Sequence, residues 1–258
     1  MLSGLTLARL DDGRFEAPHV AGHGNGSTVF GGQLLAQMVA AACESVSPAP
    51  LTSLQAVFAR PALFDRPLLI DVDVLHRGRN AVGATMTLHQ GEAPCAGAVV
   101  LAIAPQSLDG VHSAAAPDVP GPQDSAPVPQ RLHGVEIRLA AAPQDRPEKY
   151  LWMRAEGVDA GPRSKAMIAY CSESFFVETA LQPVDGLSIE DAFKRFTPNV
   201  VAHGLAFHHD SPDASQWLLH ALAAPHLSAG RGFGRGDVYT ASGELVASIT
   251  QEHILRPL

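Results

Sequence analysis

The hydrophobic and polar positions of this chain predict the same succession of elements twice. In the first half, residues 30–46 carry apolar side chains at three- and four-residue steps, which predicts a helix that ends before Pro48. Four runs of strand character follow this helix, at residues 52–60, 67–76, 81–89 and 95–103.

The second half repeats that order, with a helical pattern at residues 164–181. Four strand-like runs follow it, at residues 199–209, 216–224, 232–240 and 245–255. An offset of about 152 residues superposes residues 85–103 on residues 237–255 and matches the turn glycines Gly91 and Gly243. Such spacing is typical of a duplicated unit.

Residues 105–130 separate the two repeats. Proline, serine and aspartate replace the apolar periodicity there, which predicts a linker between an N-terminal unit at residues 1–104 and a C-terminal unit at residues 131–258. A long helix wrapped by a curved antiparallel sheet, present twice, predicts an α+β fold of the double hot-dog type. The first helix is apolar around most of its circumference, as expected for a helix buried on more than one side.

The last strand contains an anomaly. Alternation places Leu245, Ala247, Ile249, Gln251, His253 and Leu255 on one face, which is apolar except for the glutamine and the histidine. In the repeat, Gln251 falls opposite Val99. An amide buried without partners costs about 1 to 3 kcal/mol, so Gln251 indicates a polar pocket in the second half.

Composition excludes several classes of protein. The chain has 258 residues, of which 46% are hydrophobic and 17% charged, and a formal charge of −8 without a basic cluster, so a nucleic-acid partner is not expected. The three cysteines lie in apolar segments, which predicts reduced thiols. No leader pattern or membrane-length apolar run occurs, and we expect a soluble, cytoplasmic protein.

Several motifs carry a resemblance to a known family. VFGGQLLAQ at residues 29–37 and RGFGRGDVYTASGELVASITQE at residues 231–252 resemble the two ends of the bacterial type II acyl-CoA thioesterases. FARP, WMRAEG and AYCSESFFVETALQP add matching positions in the expected order. The resemblance implies a double hot-dog fold and hydrolysis of a fatty acyl-CoA by an activated water, with no metal or cofactor. Hot-dog sheets often associate edge to edge, so a homo-oligomer is also expected.

The resemblance also implies a set of catalytic residues. In the family, an acid on the second helix, a hydroxyl residue in the next strand and a glutamine on the last strand hold the water. These positions fall on Glu173, Val200 and Gln251. Glutamate replaces the usual aspartate, and Val200 removes a hydrogen-bonding partner. Asn199 could supply that partner.

Serines beside the acid, Ser172 and Ser174, are further candidates for the missing hydroxyl. Glu173 would be the general base, its pKa raised by desolvation, although an exposed helix carboxylate is the alternative. Gln251 would accept from the water through its carbonyl oxygen, although a structural glutamine bridging strand and helix is equally consistent with the pattern.

The first helix begins with Gly31 and Gly32, whose amides and helix dipole would suit a developing oxyanion, and these glycines would face Glu173 across the two halves. Tight packing of the helix on the sheet explains them as well. In the run at residues 230–236, Arg231 and Arg235 lie opposite a glycine face and would contact coenzyme A phosphates or remain solvated.

Two other site classes are not predicted. The densest histidine group is His203, His208 and His209, but His203 and His209 would lie about 20 Å apart on one strand face, too far to share a metal ion. No GxSxG nucleophile motif occurs, which excludes the usual serine hydrolase arrangement.

Two alternative functions stay open from the sequence. Val200 is compatible with a non-catalytic acyl-CoA binding protein, in which no water is activated. A hydratase or dehydratase of the same fold is the other alternative. That chemistry requires a histidine near the start of the helix, where this chain has Phe30, Gly31 and Gly32 instead.

Overall fold

A computed structural model of the chain describes residues 2–20, 24–108, 112–129, 131–142 and 146–258. Within them, the helices are α1 (Gly31–Val46), α2 (Pro162–Ser172) and α3 (Phe176–Leu181). The strands are β1 (Ala8–Asp11), β2 (Arg14–Ala17), β3 (Gly24–Asn25), β4 (Thr28–Val29), β5 (Leu51–Phe58), β6 (Leu68–Arg77), β7 (Ala81–Gln90), β8 (Ala93–Ile103), β9 (Ala126–Pro127), β10 (Val135–Ala140), β11 (Glu148–Ala155), β12 (Phe196–Phe207), β13 (Leu218–Ser228), β14 (Arg231–Thr240) and β15 (Leu245–Pro257).

All of the strands except β3 and β4 form one antiparallel sheet with the order β1-β2-β6-β7-β8-β5-β12-β15-β14-β13-β11-β10-β9. The order on one side of the β5–β12 pair mirrors the order on the other side. β5, β8, β7 and β6 of the first half occupy the places of β12, β15, β14 and β13 in the second. The sheet therefore carries the repeat predicted from the sequence.

The elements predicted for the first half agree with the structure to within a few residues, and so do the four strands of the second half. Three hairpins were not predicted: β1–β2 and β3–β4 precede α1, and β10–β11 precedes α2. The repeated unit is thus a hairpin, a helix and four strands. β1 is exposed throughout and carries no apolar alternation for sequence analysis to detect, whereas β10 does have buried side chains at alternate positions.

The single helix predicted at residues 164–181 is wrong, because the structure breaks it into α2 and α3. The Ser172 hydroxyl lies 2.8 Å from the carbonyl oxygen of Ala169 and competes with the helical hydrogen-bond pattern there. Phe175 then adopts a left-handed conformation with φ of 74°. This conformation is unfavourable for a bulky residue and marks a segment under tertiary constraint.

The core lies between the sheet and the helices. Most side chains of α1 are buried, including Leu35, Met38 and Ala42, and only Glu44 is exposed, which confirms the expected burial on more than one side. Gln37 is buried as well, and its amide nitrogen donates to the Pro18 carbonyl oxygen at 2.7 Å. Among the described residues, no helix is long and apolar enough to cross a membrane.

The described part of the predicted linker packs on the second half. The indole of Trp152 donates to the Pro120 carbonyl oxygen at 2.8 Å, and Ala116 and Val119 pack on the apolar cluster that contains Trp152. β9, at residues 126–127, extends the sheet beside β10. These residues therefore cover one end of the second half of the sheet.

The repeat register needs one correction in the last strand. In both hairpins a bulge lies at matching positions, because His89 pairs with Pro94 and Tyr239 pairs with Leu245. The turn of the second hairpin is one residue longer than that of the first. Gln251 therefore corresponds to the buried Val100 and not to Val99, which is 59% exposed and faces away from the core.

Candidate active site

A cavity of about 810 Å³ opens where the start of α1 meets the break after α2 and the adjoining parts of β12 and β15. Its wall contains residues from both halves of the chain. The apolar side chains on the wall include Phe30, Leu34, Phe58, Leu132, Val177 and Ile254. A cavity of this size and composition suits a ligand with a long apolar part.

Glu173 lies on the cavity wall, directly after the last residue of α2. Burial raises the pKa of its carboxyl group from the usual 4.5 to about 7. A carboxylate with a pKa near the operating pH is suited to general acid–base catalysis. Glu173 keeps helical backbone angles, with φ of −72° and ψ of −28°, so the last turn of α2 carries it at the cavity wall.

The two glycines at the start of α1 have different surroundings. A Cβ atom added to Gly31 would lie 2.9 Å from Oε1 of Glu173, so the helix start and the acid meet across the two halves as predicted. A Cβ atom added to Gly32 would lie 2.6 Å from the Tyr170 carbonyl oxygen and closer still to the Phe30 ring. Gly31 therefore borders the acid, whereas Gly32 permits α1 to pack on α2.

Gln251 is buried and does not line the cavity, and two hydrogen bonds through His203 connect it to the end of α2. Its Oε1 lies 3.1 Å from Nδ1 of His203, and Nε2 of His203 lies 2.9 Å from the hydroxyl of Ser172. All three side chains are about 1% exposed. Since Ser172 directly precedes Glu173, the chain of hydrogen bonds ends beside the acid.

The Ser172 hydroxyl has one proton and donates it to the Ala169 carbonyl oxygen at 2.8 Å. Its oxygen therefore accepts from Nε2–H of His203. Burial lowers the pKa of His203 to about 4, which keeps the ring neutral near pH 7. The end of the Gln251 amide that does not contact His203 is buried and has no partner among the described residues.

Val200 and Asn199 both lie on the cavity wall. Asn199 donates to the Thr197 carbonyl oxygen at 3.2 Å, a local contact within β12. Ser174 also lines the cavity. Asn199, Ser172 and Ser174 are the candidates to replace the missing hydroxyl. Within the described structure, only Ser172 is connected to Gln251 by hydrogen bonds.

A charged cluster holds the segment where the helix breaks. Glu178 of α3 forms salt bridges with Lys149 and with Arg131, the latter at 2.6 Å. Both cations also lie over the Phe175 ring, at 5.8 Å and 5.7 Å from its centroid. Cation–π contacts of this kind stabilise a side chain by about 0.5 to 2 kcal/mol and offset the left-handed backbone of Phe175.

Arginines lie at the cavity, but they are not the predicted ones. Arg60, Arg131 and Arg256 contribute to its wall. Arg60 and Arg256 are exposed and form no side-chain hydrogen bond or salt bridge with the described residues. Arg231 and Arg235 are exposed on the other face of β14 and do not line this cavity, although Arg231 lines a smaller one of about 300 Å³.

The glycine face of β14 has a packing role. A Cβ atom added to Gly234 would lie 2.2 Å from the Phe176 ring, and one added to Gly232 would lie 2.0 Å from the His253 ring. This confirms the interpretation that the glycines accommodate a neighbouring element. His253 is buried on β15, which lies between β12 and β14 in the sheet.

His203 is the site residue that sequence reasoning missed. It was considered only as a metal ligand, and among the described residues no cluster of three or more His, Cys, Asp or Glu side chains could hold a metal ion. The sequence does contain a signal for His203, which is the repeat. His203 in β12 occupies the position that the apolar Leu54 has in β5 of the first half.

The large antiparallel sheet packed on buried helices defines the class as an α+β hot-dog fold. Solved structures agree with this class. The TesB protein of Mycobacterium avium subspecies paratuberculosis matches with a TM-score of 0.86 and 22% identity, covering 99% of this chain and 98% of that one. A hot-dog protein from Alicyclobacillus acidocaldarius matches with a TM-score of 0.81 and 21% identity, covering 98% and 96%.

The sequence places the protein more narrowly. Residues 20–103 match the N-terminal domain of the acyl-CoA thioesterases, and residues 109–255 match the C-terminal domain. The chain belongs to the acyl-CoA thioesterase family. Acyl-CoA thioesterase 2 of Haemophilus influenzae is 26% identical to it, over 88% of this chain and 87% of the relative.

Proposed function

We propose that the protein hydrolyses fatty acyl-CoA to free acid and coenzyme A, with Glu173 as the general base. The observation that carries the proposal is the glutamate at the cavity wall, whose burial raises its pKa to about 7 beside the start of α1. The acyl chain would occupy the apolar part of the cavity, so that the thioester carbonyl lies between Glu173 and Gly31.

The reaction uses one water molecule. Glu173 takes a proton from the water as its oxygen attacks the thioester carbonyl. Gln251 would orient this water, the role that the resemblance to the family implies for it. The resulting oxyanion would be held by the amide groups of Gly31 and Gly32, since the amides that follow them already donate to the Phe30 carbonyl oxygen. Collapse of the intermediate breaks the carbon–sulfur bond, and the proton on Glu173 passes to the departing thiolate.

The two halves of the sheet support a double hot-dog interpretation. Each half presents a hairpin, a helical segment and four strands in mirrored order, and α1 and α2 meet at Gly32. Glu173 and Gln251 belong to the second copy and Gly31 to the first. The site would then need both copies, which explains why a single chain carries the unit twice.

Coenzyme A presents a pyrophosphate and a 3′-phosphate, while the protein has a formal charge of −8 that repels such a ligand. A local group of cations must therefore attract it. Arg60 and Arg256 are suited to this role because both lie at the cavity without a protein partner among the described residues. Arg131 is less suited, since it already pairs with Glu178.

The pH dependence of hydrolysis tests the proposed base. Because the base must be ionised, kcat/KM is expected to fall about tenfold per pH unit below about pH 7 and to level off above it. The measurement is release of free thiol from acyl-CoA esters of several chain lengths between pH 5 and 9. A profile that stays level down to pH 5 would remove Glu173 as the base.

Replacing Arg60 or Arg256 with glutamine is expected to raise KM about 3- to 10-fold and to change kcat little, since each removes one exposed charge contact. The increase should shrink at high ionic strength because salt screens such contacts. The matched controls are Arg231→Gln and Arg235→Gln on the outward face. If those controls raise KM and the cavity variants do not, the phosphates bind at β14 instead.

A further inference from the structure

Phe193 is an aromatic residue at the cavity that the proposed mechanism does not use. It lines the cavity wall and is 49% exposed. Its backbone adopts a left-handed conformation with φ of 61°, which is unfavourable for a bulky residue. Packing of the core explains neither the exposure of the ring nor the backbone conformation. A strained residue of this kind beside a cavity indicates contact with a ligand.

The turn that carries Phe193 is held by several hydrogen bonds. The Phe193 amide donates to the Phe196 carbonyl oxygen at 2.6 Å. The Asp191 carbonyl oxygen accepts from the Lys194 amide at 3.1 Å, and the Asp191 carboxylate accepts from the Ser188 amide at 2.8 Å. Because the backbone is already fixed in this conformation, the ring loses little conformational freedom when a ligand binds to it.

Positive charge collects at this turn, although the protein has a formal charge of −8. Lys194 and Arg195 follow Phe193 directly in the chain, and both are exposed. Arg195 forms a salt bridge with Asp191, whereas the Lys194 side chain has no hydrogen bond or salt bridge among the described residues. β15 ends alongside this turn and carries Arg256 on the cavity wall. An aromatic ring beside cations is typical of nucleotide sites, since the ring stacks on the base and the cations attract the phosphates.

We infer that Phe193 is a binding residue for the nucleotide end of coenzyme A, and that its ring stacks on the adenine base. The inference rests on the proposed function and deepens it, because it assigns one part of the substrate to one end of the cavity. With the thioester carbonyl at Glu173, the buried side chains of Leu34 and Leu132 suit the acyl chain. The exposed end of the cavity, at Phe193 and Arg256, is then left for the base and its phosphates.

The experiment compares two thioesters of the same fatty acid, one with coenzyme A and one with N-acetylcysteamine, which has no nucleotide. Phe193→Ala is expected to raise KM for acyl-CoA about 5- to 100-fold, the usual effect of losing one stacked base. kcat and the KM for the truncated thioester should stay within about twofold, since neither depends on the base. Phe193→Trp keeps an aromatic face and should retain a low KM, whereas Phe193→Leu should behave like Phe193→Ala.

Binding of adenosine 3′,5′-bisphosphate, a fragment of coenzyme A, measures the same contact without turnover. It is expected to inhibit acyl-CoA hydrolysis competitively, and its Kd, measured by isothermal titration calorimetry, should rise in Phe193→Ala by about the same factor as KM. The matched control is Phe233→Ala, because Phe233 is also exposed but does not line the cavity. This control should change neither quantity.

The outcomes distinguish this inference from the proposed function. If Phe193→Ala raises KM equally for the two thioesters, the ring contacts the acyl part of the substrate and the inference is wrong. It is also wrong if Phe193→Ala changes neither KM nor Kd, or if Phe233→Ala has the larger effect. If the unmodified protein hydrolyses neither thioester, the proposed function fails, while the Kd for adenosine 3′,5′-bisphosphate still decides whether Phe193 binds the nucleotide.

Discussion

Replacing Glu173 with glutamine is expected to lower kcat for acyl-CoA hydrolysis by about 10²- to 10⁴-fold, the usual contribution of a general base. Glutamine has nearly the same shape and can stay at the cavity wall, so KM for acyl-CoA should change little. The comparison is made by thiol release at pH 8, where the carboxyl group of the unmodified protein, with a pKa of about 7, is ionised.

The same substitution is expected to stabilise the fold at pH 8. A carboxyl group whose pKa rises from 4.5 in the unfolded chain to about 7 in the folded protein destabilises the native state progressively as the pH rises from 4.5 to 7. The full pKa shift would correspond to a destabilisation of about 3 kcal/mol. The cost is smaller than this because water in the cavity reaches the carboxylate. Glu173→Gln removes this cost, so the gain should disappear below about pH 4.5.

The matched control is Glu190→Gln, because Glu190 is exposed and lies away from the cavity wall. Urea unfolding at pH 4 and pH 8 measures the stability of both variants. We expect a gain in the free energy of unfolding for Glu173→Gln at pH 8 and no change for Glu190→Gln. Normal turnover by Glu173→Gln, or an equal stability change at the two pH values, would contradict the assignment.

Two neighbouring glycines are expected to respond in opposite ways to substitution by alanine. The added methyl group of Gly31→Ala would lie 2.9 Å from Oε1 of Glu173, the mobile end of a side chain, so the carboxylate moves and the backbone does not. Displacing a catalytic group by about 1 Å costs on the order of 10²-fold in rate. We therefore expect a loss of hydrolysis with little change in stability.

In Gly32→Ala, the methyl group would lie 2.6 Å from the backbone oxygen of Tyr170, which cannot move without shifting α2. Overpacking of this kind typically costs about 1 to 3 kcal/mol. We expect a clear loss of thermal stability for Gly32→Ala. Melting temperature and kcat are measured for both variants. If the two variants change these quantities equally, Gly31 serves only packing, as Gly32 does.

The sequence was sufficient to predict α1, the eight strands that follow the two predicted helices, and the repeat. In each of these segments the side chains that share a face are two, three or four positions apart, so the pattern is local. The acid and the amide were predicted by resemblance, and their surroundings were not. Pairing of His203 with Gln251 spans 48 residues and follows from the β12–β15 register.

The register itself shows the limit of a linear comparison. Matching Gly91 with Gly243 aligns the turns, but the second turn is one residue longer, and a shift of one residue moves a strand side chain to the other face. For this reason the linear comparison matches Gln251 with Val99, whereas the structure matches it with Val100.

What the sequence by itself determined is the order of the elements, because that order depends on residues close together in the chain. Only the tertiary structure decided where α2 ends, which side chains the Gln251 amide contacts and which arginines reach the cavity. Each of these depends on contacts between segments far apart in sequence, whose free energies outweigh local preference: Phe175 is held in a left-handed conformation by two cations, and Gln251 is oriented by a histidine on another strand.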